Sequence, residues 1–145
     1  MRQLAVLIVD DSPSVRAVVR RFLRDTPDLR VIGEAADGVE ALELVDRLHP
    51  DVLLLDLVMP RLDGWGVLER LARKNPVPAV LLTSRADRAE LRAAFEATRS
   101  GAMELLPKPE DPESWRQLAE ILPRALRAAA AAGTGGAPSP SPSPA

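Results

Sequence analysis

Five times between residues 4 and 126 the chain passes from a short strand-like run into a longer stretch whose apolar residues recur every three or four positions. This alternation constrains the fold more than any other feature, because a period of two suits a strand and one near 3.6 suits a helix. Leu4–Val9 is a continuous apolar run. It is followed by Val15, Val18, Val19, Phe22 and Leu23 at helical spacing, with Arg16, Arg20, Arg21 and Arg24 on the opposite stripe. Ser12 and Pro13 suit the cap and first position of that helix.

A second strand, Leu29–Ala35, contains Arg30 and Glu34 and is expected at an edge. Its helix runs from Gly38 to Leu48 and stops before Pro50, which makes His49 a helix-end residue. Val52–Leu55 is wholly apolar, hence central and covered on both faces. A helix follows from near Gly64, with Val67, Leu68 and Leu71 inward. Ala79–Leu82 is the fourth strand, Asp87–Thr98 the fourth helical stretch, and Met103–Leu106 the fifth strand. The last helix begins after Pro112 with Trp115, Leu118, Ala119, Leu122 and Leu126 on one stripe. Pro123 removes one intrahelical hydrogen bond, so a kink or an early end is expected there. Trp65 and Trp115 fall on apolar stripes and are expected in the core. Five such units with apolar central strands specify an α/β fold, a doubly wound parallel sheet with helices on both faces.

The 145 residues suffice for one globular domain. We place it at residues 1–128 and expect 129–145, Ala-rich and then Gly/Pro/Ser-rich, to be disordered. From Gly133 the sequence GTGGAPSPSPSPA offers no apolar group large enough to offset the entropy of ordering. It is either a tail or a linker to something longer. With no cysteine and one histidine, a thiolate zinc site, a cysteine nucleophile and a multi-histidine metal site are excluded. A formal net charge of -2 argues against wrapping nucleic acid by bulk charge. Residues after Leu126 carry no helix-turn-helix. No apolar run before residue 128 exceeds six residues, so no membrane span is expected, and the start MRQLAVLIVDDSP is no signal peptide. The chain reads as cytoplasmic.

In an open parallel sheet, ligands bind beyond the carboxyl ends of the strands. The residues there are Asp10 and Asp11 after the first strand, Asp56 after the third, Thr83 and Ser84 after the fourth, and Lys108 after the fifth. Taken singly, the aspartates could cap helices and Lys108, between two prolines, could be solvated. Four of five strands ending in such residues favours one site. Carboxylates a few ångströms apart repel by roughly 4 kcal/mol per pair at an effective dielectric near 20. That repulsion invites a divalent cation, and an all-oxygen set favours Mg²⁺. A carboxylate, Mg²⁺, a hydroxyl and a lysine suit a phosphoryl group. Asp56 is the best nucleophile, because its attack on phosphorus gives an aspartyl phosphate. Lysine is rare here: 17 of the 19 basic residues are arginine.

The motifs VLIVDDSPSVR (Val6–Arg16), PDVLLLDLVMPRLDG (Pro50–Gly64), LLTS (Leu81–Ser84) and LLPKP (Leu105–Pro109) resemble the receiver domain of bacterial two-component response regulators, over residues 2–128. The resemblance implies a flavodoxin-like sheet in the order 2-1-3-4-5, with Asp10 and Asp56 on adjacent strands at the switch point. It implies Asp56 as phospho-acceptor, supplied by a histidine kinase, a phosphotransfer domain or a small phosphodonor. Mg²⁺ would be held by Asp10, Asp11, Asp56 and the backbone carbonyl of Val58. Lys108 would pair with phosphoryl oxygens, and Thr83, with Ser84 beside it, would bind the phosphoryl group and act as the switch. Pro109 would follow a cis peptide bond, and Met59, Pro60 and Gly64 would shape the neighbouring loop. Output would pass to a downstream partner or a fused domain through the face formed by 87–98, the fifth strand and the last helix.

Two positions depart from the family pattern. The residue three before the lysine, often aromatic in the family, is Leu105, so read-out by ring rotation is not carried over, whereas the phosphorylation chemistry is. Thr83 and Lys108 stand 25 positions apart, a few more than is common. That length, with DDSPSVR and SGAMELLPKP, is similar to receivers that precede chemotaxis methylesterase domains. No esterase activity follows for this chain; its expected chemistry is self-phosphorylation and self-dephosphorylation. Two other readings remain: a Mg²⁺-dependent phosphatase with an aspartyl nucleophile, and a vestigial receiver serving as an interaction module. The first would favour an Asp-x-Asp pair after the first strand, where this chain has adjacent Asp10 and Asp11.

Overall fold

The structure is a computed structural model and describes residues 3–74, 76–84 and 102–136. Its strands are β1 (Leu4–Val9), β2 (Leu29–Ala35), β3 (Val52–Asp56), β4 (Ala79–Thr83) and β5 (Ala102–Pro107). Its helices are α1 (Pro13–Arg24), α2 (Gly38–Leu48), α3 (Gly64–Lys74) and α4 (Pro112–Gly136). The strands are all parallel, in the order β2-β1-β3-β4-β5. The expected sheet is therefore the one observed, with β2 at an edge and β3 central. The helix expected at Asp87–Thr98 lies outside the described residues.

Alternate side chains of each strand feed two cores. Val6, Ile8, Val52, Leu54, Val80 and Leu82 pack with Val19 and Leu23 of α1 and Leu118, Leu122 and Leu126 of α4. Leu7, Val9, Leu53, Leu55 and Leu81 pack on the other face with Ala41 and Val45 of α2 and Val67, Leu68 and Leu71 of α3. Burying a side chain of this size contributes about 1.5–3 kcal/mol, so two-sided burial of β1, β3 and β4 is what anchors the strand ends. Trp65 and Trp115 are partly buried against these cores, and the Trp115 ring meets Phe22 of α1 at a tilt of 54°, with ring centroids 6.2 Å apart.

The helix starts follow local chemistry. Ser12 Oγ accepts a hydrogen bond from the Val15 N–H, and Pro13 opens α1. Asp10 and Asp11 therefore do not cap it. At α2, Asp37 Oδ1 accepts from the Glu40 N–H while Glu40 Oε1 accepts from the Ala36 N–H, satisfying two orphan donors. His49 closes that helix with φ 52°, its N–H donating to Val45 O. The proline that follows disfavours continued helical backbone there.

Two expectations need correction. Pro123 neither ends nor breaks the last helix, which runs on to Gly136. The apolar stripe continues through Leu126 to Ala129 and Ala130, both 1% exposed, and this burial offsets the lost hydrogen bond. The packed domain thus reaches past residue 128, and the part of the tail beyond Gly136 lies outside the described residues. In addition, no cis peptide bond occurs among the described residues, so Lys108–Pro109 is trans. Trans is the lower-energy form of such a bond by about 0.5–1 kcal/mol, and the Lys108 ammonium reaches its partners without the cis form.

Candidate phosphoryl and metal site

Parallel strands end at one edge of the sheet, and that edge collects the polar residues. Val9 lies opposite Leu55 in register, so the residues that follow, Asp10 and Asp56, stand side by side. Thr83, the last residue of β4, lies opposite Pro107 of β5. The Lys108 N–H donates to the Thr83 carbonyl at 2.5 Å, which turns the lysine back over the sheet end. Its Nζ lies 3.0 Å from Asp10 Oδ2 and 3.1 Å from Asp56 Oδ2, bridging the two strands.

Both bridged carboxylates are deeply placed, Asp10 at 2% and Asp56 at 4% exposure. Asp10 Oδ1 also accepts from the Ser12 N–H at 2.9 Å, and Asp56 Oδ1 from the Val58 N–H at 3.2 Å. Burial pushes the Asp56 carboxyl above its ordinary pKa, and the neighbouring Asp10 charge pushes it further; Lys108 opposes both. For Lys108, burial works to lower the pKa. The charges of Asp10 and Asp56 outweigh it, so the ammonium titrates above its usual range.

Asp11 is exposed, yet oxygens of Asp10, Asp11 and Asp56 all lie within 4.8 Å of one another. Such an all-oxygen, multiply anionic set fits a hard divalent cation better than a soft one. Thr83 is 1% exposed and its Oγ1 has no hydrogen-bond partner among the described residues. A buried hydroxyl of that kind costs free energy until an acceptor reaches it. Ser84, by contrast, is exposed. Val58 is 67% exposed beside the site. Leu105 is buried in the core on the α2–α3 face, opposite Leu81, two positions before the Thr83–Pro107 pair. The sheet therefore brings Asp10, Asp11, Asp56 and Lys108 together and ties Thr83 to them through the Lys108 N–H, while Ser84 is exposed just past β4 and Leu105 lies in the core.

The loop after β3 is pinned from below. The Gly64 N–H donates to Leu57 O, and a Cβ on Gly64 would meet Asp56 O at 2.6 Å and Leu57 Cα at 2.9 Å. Backbone atoms cannot give way as a side-chain end can. Gly64→Ala is thus expected to lower stability by about 1–3 kcal/mol, read as a lower urea midpoint at unchanged slope.

Two contacts escape sequence reasoning. Arg61, in left-handed backbone with φ 68°, donates through Nε and Nη2 to Asp37 Oδ2 at 3.1 and 2.8 Å and ties the loop after β3 to the start of α2. Arg16 donates to the backbone carbonyl of Asp10. In the sequence Arg16 is placed only on the polar stripe of the first helix, and nothing near Arg61 points to its partner, 24 positions away.

The molecule is thus a doubly wound parallel α/β domain with buried carboxylates and a lysine at its switch point. The family model for the response regulator receiver domain matches residues 6–120, and the chain belongs to that family, which serves two-component signalling. Within it, the chain is 45% identical over 107 residues to a protein-glutamate methylesterase/protein-glutamine glutaminase of Geobacter metallireducens, covering 74% of this chain and 31% of that one. A similar enzyme of Myxococcus xanthus is 49% identical over 106 residues, covering 73% and 30%. The chain thus spans about a third of the length of the curated relatives it matches. Among solved structures, the response regulator domain of Thermotoga maritima CheB superposes with a TM-score of 0.79 at 34% identity, covering 89% of this chain and 97% of that one. The sequence-based likeness to methylesterase receivers is borne out. No helix among the described residues is long and apolar enough to cross a membrane.

Proposed function

We propose that the chain is a phosphorylation switch that takes a phosphoryl group from a phosphohistidine donor onto Asp56. The observation that carries this reading is the Lys108 ammonium held between Asp10 and Asp56 beside a third carboxylate. An Asp56 carboxylate oxygen forms the new bond to phosphorus, in line with the breaking phosphorus–nitrogen bond of the donor. The donor imidazole leaves with the electron pair of that bond, and an acyl phosphate remains on Asp56.

Asp10, Asp11, Asp56 and the Val58 carbonyl would hold Mg²⁺, which when bound neutralises charge on the phosphoryl oxygens. Lys108 exchanges its bond to Asp56 for one to a phosphoryl oxygen, as a compact ammonium can. Thr83 Oγ1 would gain an acceptor, where it has none among the described residues, and the exposed Ser84 follows it in the chain. That new bond draws the end of β4 toward Asp56 and biases two loop states, a change of a few kcal/mol. At the position where the family often has an aromatic stands Leu105, buried in the core, so the shift is not read out there by ring rotation. The partners are a histidine kinase or phosphotransfer domain on the donor side, and a partner or fused output domain on the face of β5 and α4. Such a donor acts in the cytoplasm, and neither nucleic acid nor a membrane is required.

Incubation of the chain with a labelled phosphohistidine donor and Mg²⁺ should give one acid-stable, base-labile phosphate per chain, and EDTA should reduce labelling to background. Labelling that ignores EDTA, or none at all with Mg²⁺ present, would overturn the reading. Turnover of p-nitrophenyl phosphate faster than self-dephosphorylation would instead indicate a phosphatase.

A further inference from the structure

Arg16 lies in the first turns of α1 and its side chain is 17% exposed. Its Nη1 donates to the Asp10 carbonyl oxygen at 2.5 Å while its Nε donates to Glu34 Oε1 of β2 at 3.0 Å. The other Glu34 oxygen accepts from Arg20. The Asp10 carbonyl belongs to the peptide unit that joins Asp10 to Asp11. On the preceding peptide unit, the Asp10 N–H donates to Ala35 O at 3.0 Å. Both peptide planes flanking Asp10 are thereby fixed from the β2 side.

We infer that Arg16, aimed by Glu34, is a positioning residue that orients the Asp10–Asp11 peptide so that both carboxylates face one cation; this rests on reading the acidic trio as a Mg²⁺ site. Rotation about that peptide would carry Asp11, the exposed member, away from the other two. Glu34 has a second role. A bare guanidinium beside a divalent cation repels it, and the Glu34 carboxylate, which Arg20 shares, offsets part of that charge. The guanidinium presents its Nε and Nη1 donors in a rigid fork, whereas an ammonium is a compact point charge on a flexible stem.

The contribution has a sign that separates it from simpler roles. If Arg16 acted by charge alone, removing it would tighten Mg²⁺ binding. If it served stability alone, the melting point in EDTA would fall while the affinity of the folded protein stayed constant. Positioning predicts weaker binding despite the removal of a positive charge.

Calorimetric Mg²⁺ titration of the full chain is the test, paired with thermal melts in EDTA. Arg16→Gln and Arg16→Lys should each weaken Mg²⁺ binding at least fivefold, and Glu34→Ala should act in the same direction. Glu34→Gln keeps an acceptor for the guanidinium and should cost no more than threefold. Asp11→Asn serves as the control for the site itself and should weaken binding more than tenfold. Unchanged or tighter affinity in the Arg16 variants, with Asp11→Asn weakened, would overturn the positioning role and leave the site standing. No effect of Asp11→Asn would overturn the site reading and this inference with it. Should Arg16→Gln fail to fold, Arg16→Lys and Glu34→Ala decide by the same criterion.

Discussion

Asp56→Asn is expected to reduce phosphoryl acceptance to background and, at the same time, to make the metal-free protein more stable at neutral pH. The first effect follows from removing the nucleophilic oxygen: an amide neither attacks phosphorus nor forms an acyl phosphate. The second follows from the environment of the carboxyl. Asp56 is 4% exposed, and burial with the Asp10 charge raises its pKa. A group whose pKa is raised in the folded state favours folding while protonated in both states. It loses that contribution as pH rises from about 4 through its raised value. At pH 7 the wild-type protein therefore carries a penalty that asparagine lacks, and Lys108 keeps Asp10 as a partner in the variant.

The gain should be about 1–2 kcal/mol, a fraction of the roughly 4 kcal/mol by which two carboxylates a few ångströms apart repel at an effective dielectric near 20. Thermal melts in EDTA from pH 4 to pH 8 check it: the two proteins should converge at the acid end and separate toward neutrality. Mg²⁺ should raise the wild-type midpoint more than that of the variant, since it binds the folded state with one more carboxylate. A variant that labels normally would sink the assignment of Asp56, and one less stable than wild type at pH 7 would sink the electrostatic account.

Lys108→Met should have the opposite effect on stability. Its ammonium is 3.0 Å from Asp10 and 3.1 Å from Asp56, and its side chain is 20% exposed. Methionine fills much the same volume and leaves two deeply placed carboxylates facing each other without a cation. Removing one member of a buried pair costs about 3–5 kcal/mol; partial solvent access places this case near 3 kcal/mol or somewhat below. The loss should be largest in EDTA at neutral pH. It should shrink on acidification, as the carboxyls become protonated, and on adding Mg²⁺, which takes over the neutralising role. The wild-type lysine titrates above its usual 10.5, so its stabilising contribution is complete below that value and is lost as pH rises beyond it. Wild type and variant should therefore converge again in strong alkali. Equal urea midpoints for the two proteins at pH 7 in EDTA would contradict the bridge between β1 and β3.

Much of the site is legible because a parallel sheet directs every strand end to one edge. Once β1, β3, β4 and β5 are recognised, Asp10, Asp56, Thr83 and Lys108 must converge, whatever the loops do. The helix starts at Ser12 and Asp37, and the stop at His49 before Pro50, are equally local: each is decided by side-chain capping or by proline sterics within a few residues. The length of α4 was not legible. Pro123 and the alanines after Leu126 look like the end of a domain when read locally, because a helix's own propensity is weak beside tertiary burial. Ala129 and Ala130 are core residues only because the sheet lies beneath them. The Arg127–Asp28 pair, which joins that stretch of α4 to the turn before β2, spans 99 positions and leaves no local trace.

Periodicity and strand-end chemistry thus settled the α/β class, the two-sided burial of the inner strands and the residues of the acidic edge. Folding alone decided that Lys108 bridges two particular aspartates, that Thr83 Oγ1 is buried without a partner among the described residues, and that Arg16, paired with Glu34, donates to the Asp10 carbonyl. The division has one physical reason. Hydrophobic period and capping act over a few residues and are written along the chain, whereas a charge's partner depends on which segments, tens of residues apart, the sheet brings within hydrogen-bonding reach.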